Sequence, residues 1–100
     1  MEINITDTDR NILVTLAGRL DTLQANECEE RLRPLRDQAD REIILDCTAL
    51  EYISSSGLRI FLSLLKDVKA KGGSLQLRNV NNEIRNIFTI TGFHRLFNIQ

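Results

Sequence analysis

Residues 55 to 71 carry an apolar stripe that has to pack deeply. Leu58, Phe61, Leu62, Leu65 and Val68 recur at helical spacing, and Ile60 and Leu64 widen the face they form. Gly72-Gly73 follows at once, the usual way of ending a helix on a left-handed residue. Strand patterns stand on either side. Glu42-Ile43-Ile44-Leu45-Asp46-Cys47 is a short apolar run without alternation, which predicts a strand covered on both faces, and Leu75 and Leu77 alternate within Ser74 to Val80. A helix with so much surface to bury, held between two strands, calls for a right-handed crossover packed on a sheet.

The rest of the chain extends this unit in both directions. Ile3 and Ile5 alternate with polar residues, as do Ile12, Val14 and Leu16 after the turn-like Asp7-Thr8-Asp9-Arg10-Asn11. That period of two predicts a hairpin with one buried face, its second strand broken by Gly18. Asp21 or Thr22 is placed to cap the next helix, with Gln24 three residues after Asp21 in the manner of a capping box. The stripe of that helix is Cys28, Leu32, Leu35 and Ala39, and Pro34 within it predicts a kink or an early end near Arg33. Asn81 or Asn82 caps a last helix bearing Ile84, Ile87 and Phe88, which Gly92 stops. Phe93, Leu96, Phe97 and Ile99 then form an apolar segment expected to lie back on the sheet. The order β-β-α-β-α-β-α predicts an α/β fold, a mixed sheet of four to five strands covered by three to four helices, in one domain spanning residues 1–100.

Composition excludes several classes of function. A hydrophobic content of 42% with a single proline suits a folded domain, which at 100 residues should bury roughly 60–68% of its extended surface without metal or disulfide support. Thirteen basic against 14 acidic residues leave a net charge of −1, so neither nucleic acid nor a membrane surface is an expected partner. The basic sets Arg31, Arg33, Arg36 and Lys66, Lys69, Lys71 fall near predicted helix C-termini, where they complement the dipole. Cys28 and Cys47 match no metal spacing and read as reduced structural thiols. The N-terminus lacks the pattern of a signal peptide, and no segment approaches the roughly 18 apolar residues of a membrane span, so the cytoplasm is the expected compartment.

The run Ile53-Ser54-Ser55-Ser56-Gly57-Leu58 stands where an apolar strand gives way to the long helix. Free backbone N–H groups and the positive dipole end favour an anion there, so a serine in this place is a cap or a phosphorylation site. Loops at the carboxyl ends of parallel strands gather functional groups. The predicted loops Gly18 to Thr22 and Thr48 to Ser56 both leave strands at such ends, and if those strands are neighbours, Asp21 and the serines share one surface. Enzymatic patterns are missing. A hydrolase elbow needs a glycine two residues before the serine, and none of the three serines has one. His94, the only histidine, lies in the C-terminal apolar segment, away from any triad. There is no phosphate-binding loop of the nucleotide-hydrolase kind and no metal-ligand cluster, so no cofactor, metal or small-molecule substrate is expected.

The order of elements and several motifs together resemble the STAS domains, and within them the bacterial anti-sigma factor antagonists. The resemblance is carried by Gly18-Arg19-Leu20-Asp21 after the second strand, Ile44-Leu45-Asp46-Cys47-Thr48 in the central strand and Ile53-Ser54-Ser55-Ser56-Gly57-Leu58 before the helix. Gly72-Gly73 before a strand, and Ile87-Phe88 to Gly92, complete it. It implies a switch protein that is not an enzyme. Such a protein binds an anti-sigma factor with serine kinase activity, is released when a loop serine is phosphorylated, and is reset by a serine phosphatase. Nucleotide would sit in the kinase's pocket. In the family pattern an aspartate precedes two hydroxyl residues and a glycine, and the first hydroxyl takes the phosphate. That residue corresponds to Ser55, with Ser56 the second choice, and Ser54 stands in the aspartate's place.

Phosphate adds about 1.5 to 2 negative charges, enough to dislodge a partner fitted to a nearly neutral loop. Asp21 and Asp46 are the carboxylates expected near that loop, with support of the backbone at a strand end the more common role for Asp46. Asp21 either bonds loop amides or the partner, or caps the helix; Gly57 either admits a partner or phosphate closely, or packs in the first helical turn; Arg59 is either a rim contact or solvated. An alternative within the family is a permanent docking subunit of another assembly, a stress-signalling complex or a lipid-transport machine, without phosphorylation.

Overall fold

The computed structural model describes residues 1–100. In chain order the elements are β1 (Glu2–Asp7), β2 (Asn11–Leu20), α1 (Ala25–Arg36), β3 (Glu42–Ile53), α2 (Ser55–Lys71), β4 (Ser74–Arg78), α3 (Asn82–Thr91), a 3-10 turn (Phe93–Arg95) and β5 (Asn98–Ile99). The strands lie in the order β1-β2-β3-β4-β5, with β1 antiparallel to β2 and every later pair parallel. The mixed α/β sheet expected from the order of elements is therefore present. Three successive crossovers run the same way across the sheet, so right-handed connection places all three helices on one face. The core follows that face: Ile12, Val14 and Leu16 of β2, Ile43, Leu45 and Cys47 of β3, and Leu75 and Leu77 of β4 are buried against the apolar stripes of the helices. Ile44 is buried too, but it points the other way, in register with Leu13 and Gln76 and outside the main core. The unalternating run in β3 thus reflects neighbouring side chains on the second face rather than a second layer of helices.

Helix α2 has the predicted limits, because its signals are local. Ser54 caps its first turn, and Gly72, at φ 81°, ends it with its N–H donating to the Val68 carbonyl. Gly73 follows where no side chain fits, since a Cβ there would lie 2.1 Å from the Ala39 carbonyl oxygen. Helix α3 is capped by Asn81, whose Oδ1 accepts from the Ile84 N–H at 2.8 Å while its Nδ2 donates to the Leu50 carbonyl at 3.1 Å, fastening the helix to β3. Phe97 of the final segment is buried edge-on against Phe88, with ring centroids 5.4 Å apart, and β5 adds two residues to the sheet edge.

Several expectations about the elements are corrected. Gly18 does not break β2; at φ 99° it lies in a bulged stretch where the pairing with β3 shifts register, and the strand continues to Leu20. For the same reason β3 runs on to Ile53, so only Ser54 separates strand from helix. Helix α1 starts at Ala25 rather than beside Asp21, and it runs two residues past Pro34 to end at Arg36. In β1 only Ile3 is buried; Ile5, on the edge strand, is 37% exposed. Strand β4 ends at Arg78, because the chain turns at Asn79, whose φ is 60°.

Candidate functional site

Strands β2 and β3 lie side by side and parallel, with Leu20 opposite Ile53. Asp21 and Ser54 therefore leave the sheet at the same end, and the Ser54 N–H donates to the Leu20 carbonyl at 2.8 Å. The surface on which both loops meet exists as predicted, although the second loop has shrunk to a single residue.

The three serines have different surroundings. Ser54 is buried, in extended backbone (φ −87°, ψ 172°), and its Oγ accepts from the Gly57 N–H at 3.2 Å while its carbonyl accepts from the Leu58 N–H. It is the N-cap of α2, and its hydroxyl faces the helix rather than solvent. Ser55, the first helical residue, is exposed, and Ser56 is half-buried. Ser55 is the most exposed of the three, and Ser56 is partly open to solvent as well.

Gly57 is buried, and a Cβ on it would stand 2.7 Å from Leu20 Cγ and 2.8 Å from Ile53 Cγ1. The close approach it permits is to the core at the ends of β2 and β3, not to a partner. Leu58 is core. Arg59 is exposed, one turn beyond Ser55.

A groove of about 380 Å³ opens between α1 and α2 beside the serines. Thr22, Asn26 and Glu29 form one wall, and Ser56, Arg59 and Ser63 the other. Of these, Ser56 and Arg59 are binding-site candidates in the sequence, and Thr22 enters there only as a cap and loop end. A signal for the rest does exist: the two polar sets are spaced four and three, then three and four, along their segments. Each is a stripe flanking the apolar one. Which stripes face each other is set by how α1 packs on α2, a contact reinforced by the Arg36–Asp67 ion pair at 3.1 Å.

Asp21 is half-buried, and its Oδ1 accepts from the Gln24 N–H at 3.0 Å. It caps the turn that leads into α1, about one turn before the helix itself begins at Ala25. Asp46 does not belong to this surface. It lies eight residues before Ser54, about 25 Å of strand, on the sheet face turned away from the helices. Its carboxylate accepts from Thr48 Oγ1 at 2.6 Å, from the Thr48 N–H at 3.0 Å and from Asn79 Nδ2 at 3.3 Å. Those bonds, the Thr48 hydroxyl foremost, hold the Asp46 carboxyl below its ordinary 3.8 despite partial desolvation.

The cysteines are inert by position. Burial pushes the Cys28 thiol up to about 11 and the Cys47 thiol up to about 12, with neighbouring acids adding to both. His94 Nδ1 lies 3.3 Å from the Phe88 carbonyl, in the C-terminal segment. No group of three His, Cys, Asp or Glu side chains could hold a metal ion, and no helix is long and apolar enough to cross a membrane.

The sequence pattern of the STAS domain matches residues 2–100. The chain belongs to the STAS domain family. This STAS domain is 34% identical over 101 residues to the anti-sigma-B factor antagonist of Bacillus subtilis (strain 168), a match that covers 100% of this chain and 91% of the relative. It is 30% identical over 100 residues to the anti-sigma-B factor antagonist of Staphylococcus aureus (strain NCTC 8325 / PS 47), covering 100% of this chain and 93% of that one. Among solved structures, the anti-sigma factor antagonist SpoIIAA in its unphosphorylated form superposes with a TM-score of 0.76 at 19% identity, covering 99% of this chain and 87% of that chain. An anti-sigma factor antagonist from Mycobacterium paratuberculosis does so with a TM-score of 0.82 at 21% identity, covering 98% and 83%. At such identities the solved structures speak for the fold, and the STAS fold is the one the sheet order and crossovers describe.

Proposed function

We propose that this STAS domain is an anti-sigma factor antagonist, switched at Ser55. Unmodified, it binds an anti-sigma factor that is also a serine kinase and so frees the sigma factor. In the switching step the Ser55 Oγ takes the γ-phosphoryl group of ATP bound by the kinase, the hydroxyl proton passes to a base of the kinase, and ADP leaves. A serine phosphatase returns the protein to its binding form. The whole cycle runs in the cytoplasm.

The observation that carries this reading is the difference among the serines: Ser54 is buried as a cap, while Ser55 is exposed at the first position of α2. Relatives named as anti-sigma-B factor antagonists match along the whole chain. The replacement of the family's aspartate by Ser54 is compatible with the switch, because serine and aspartate are comparable N-caps. It keeps the loop's shape and removes one negative charge beside the acceptor. Asp21, Ser56 and Arg59 flank Ser55 on the binding surface, and Ser54 and Gly57 support it from below. Leu23, 86% exposed in the turn before α1, offers an apolar contact at the same end.

The test is intact-mass and fragment mapping after incubation with Mg-ATP and the kinase, together with partner binding by two variants. One phosphate on Ser55 is expected. Ser55→Asp should weaken binding, and Ser55→Ala should bind but resist release by ATP. Equal binding by both variants, or no phosphate under an active kinase, would replace this reading with a constitutive docking module.

A further inference from the structure

We propose that a phosphoryl group on Ser55 is held by Arg59 of the same helix, which thereby takes from the α1–α2 groove its only cation. The inference rests on the reading of Ser55 as the phosphorylated residue, and it assigns the mechanism by which the phosphate is felt.

Ser55 and Arg59 are four residues apart on α2, the spacing that sets two side chains next to each other on a helix surface, and both are exposed. Five of the ten arginines are already engaged. Arg31 and Arg41 donate to backbone carbonyls, Arg78 donates to Gln76, Arg36 pairs with Asp67, and Arg19 stacks on Tyr52. Arg59 has no such partner and lines the groove. Its planar fork matches the oxygens of a phosphate, and an unpaired guanidinium gives up no existing bond in turning toward one.

In the unmodified protein the walls of the groove carry one acid, Glu29, and one base, Arg59, so their charges balance. With Arg59 drawn onto the phosphate, Glu29 is left uncompensated and a group of about −1.5 to −2 stands at the rim. The groove changes from balanced to acidic without any movement of the backbone. A partner seated over it in the unmodified state meets a different charge pattern after modification, which converts a local event on Ser55 into release.

The experiment uses the full chain with phosphoserine incorporated at position 55 during translation, followed by 31P NMR as a function of pH. The second phosphate ionisation is expected to lie about 0.3 pH unit lower with Arg59 present than in Arg59→Gln. Glu29 across the groove and Asp21 at the end of the neighbouring strand are common to both proteins, so the difference isolates Arg59. Arg59→Lys should recover part of the shift, and Lys69→Gln, at the far end of α2, should cause none. Coincident titrations of the Arg59 and Arg59→Gln proteins would overturn the proposal, as would an equal shift from Lys69→Gln. The measurement needs no partner. Indifference of the anti-sigma factor to Ser55→Asp would therefore sink the functional reading and leave the phosphate–Arg59 contact alone standing, while coincident titrations would sink the contact and leave the functional reading.

Discussion

Replacing Ser54 with alanine removes one oxygen at the junction of β3 and α2, and the cost follows from what that oxygen does. Ser54 Oγ accepts from the Gly57 N–H at 3.2 Å, and both residues are buried, so water cannot readily take its place. Loss of an N-cap costs about 1 kcal/mol, and stranding a buried donor costs about 1–3 kcal/mol. The two figures describe the same bond and do not add, which gives about 1.5 kcal/mol for Ser54→Ala. For a domain of this size that corresponds to a fall in Tm of about 6–12 °C. Ser54→Asp restores an acceptor and places a negative charge at the positive end of α2, so it should unfold within about 0.5 kcal/mol of the parent. The assay is thermal and urea denaturation followed by circular dichroism, with an unchanged urea dependence showing that the unfolded state is comparable. If Ser54→Ala unfolded within about 0.3 kcal/mol of the parent, or Ser54→Asp were as unstable as Ser54→Ala, the assignment of Ser54 as a structural cap would be refuted.

Gly73→Ala should destabilise by about 3 kcal/mol or more, lowering Tm by about 12 °C or more. The new Cβ would meet main-chain oxygens of Ala39 at 2.1 Å and Arg41 at 2.5 Å, which cannot swing aside as a side chain can; calorimetry checks this. The Asp46 carboxyl is held below 3.8 in the folded protein, so its contribution to stability is fully present above the unfolded value and is lost as pH falls through the folded one. Asp46→Ala should therefore be less stable than the parent at pH 7, and the gap measured by denaturation should close as the pH is taken well below 3.8.

How much of this protein could be read from its sequence depended on the range of the interactions involved. The limits of α2, its cap at Ser54 and its stop at Gly72 were legible because helix hydrogen bonds span four residues and caps act within one turn. The same holds for Asn81 and Gly92 at the ends of α3. The parallel neighbours β2 and β3, and hence the shared surface of Asp21 and the serines, followed from element order and the handedness of crossovers. The motifs that resembled the STAS domains were short local patterns of this kind, and the family they suggested is the one to which the chain belongs.

The tertiary structure alone decided the rest, since a strand continues only while another strand meets its hydrogen bonds. The stretch from Thr48 to Tyr52 reads as loop, yet it is strand because the bulge around Gly18 keeps β2 in pairing range as far as Leu20. That extension brings Ser54 against the Leu20 carbonyl, buries it, and makes Gly57 a packing residue beneath Ser55. It also carries Asp46 away from the serine surface to a separate anchor on Thr48 and Asn79. The groove that sets Arg59 across from Glu29 depends on which flanks of α1 and α2 meet, and that angle is determined by core side chains far from either residue in sequence. Helical periods and caps are written within one turn of chain, whereas strand register, burial and the meeting of two helix faces are properties of neighbours that only folding supplies.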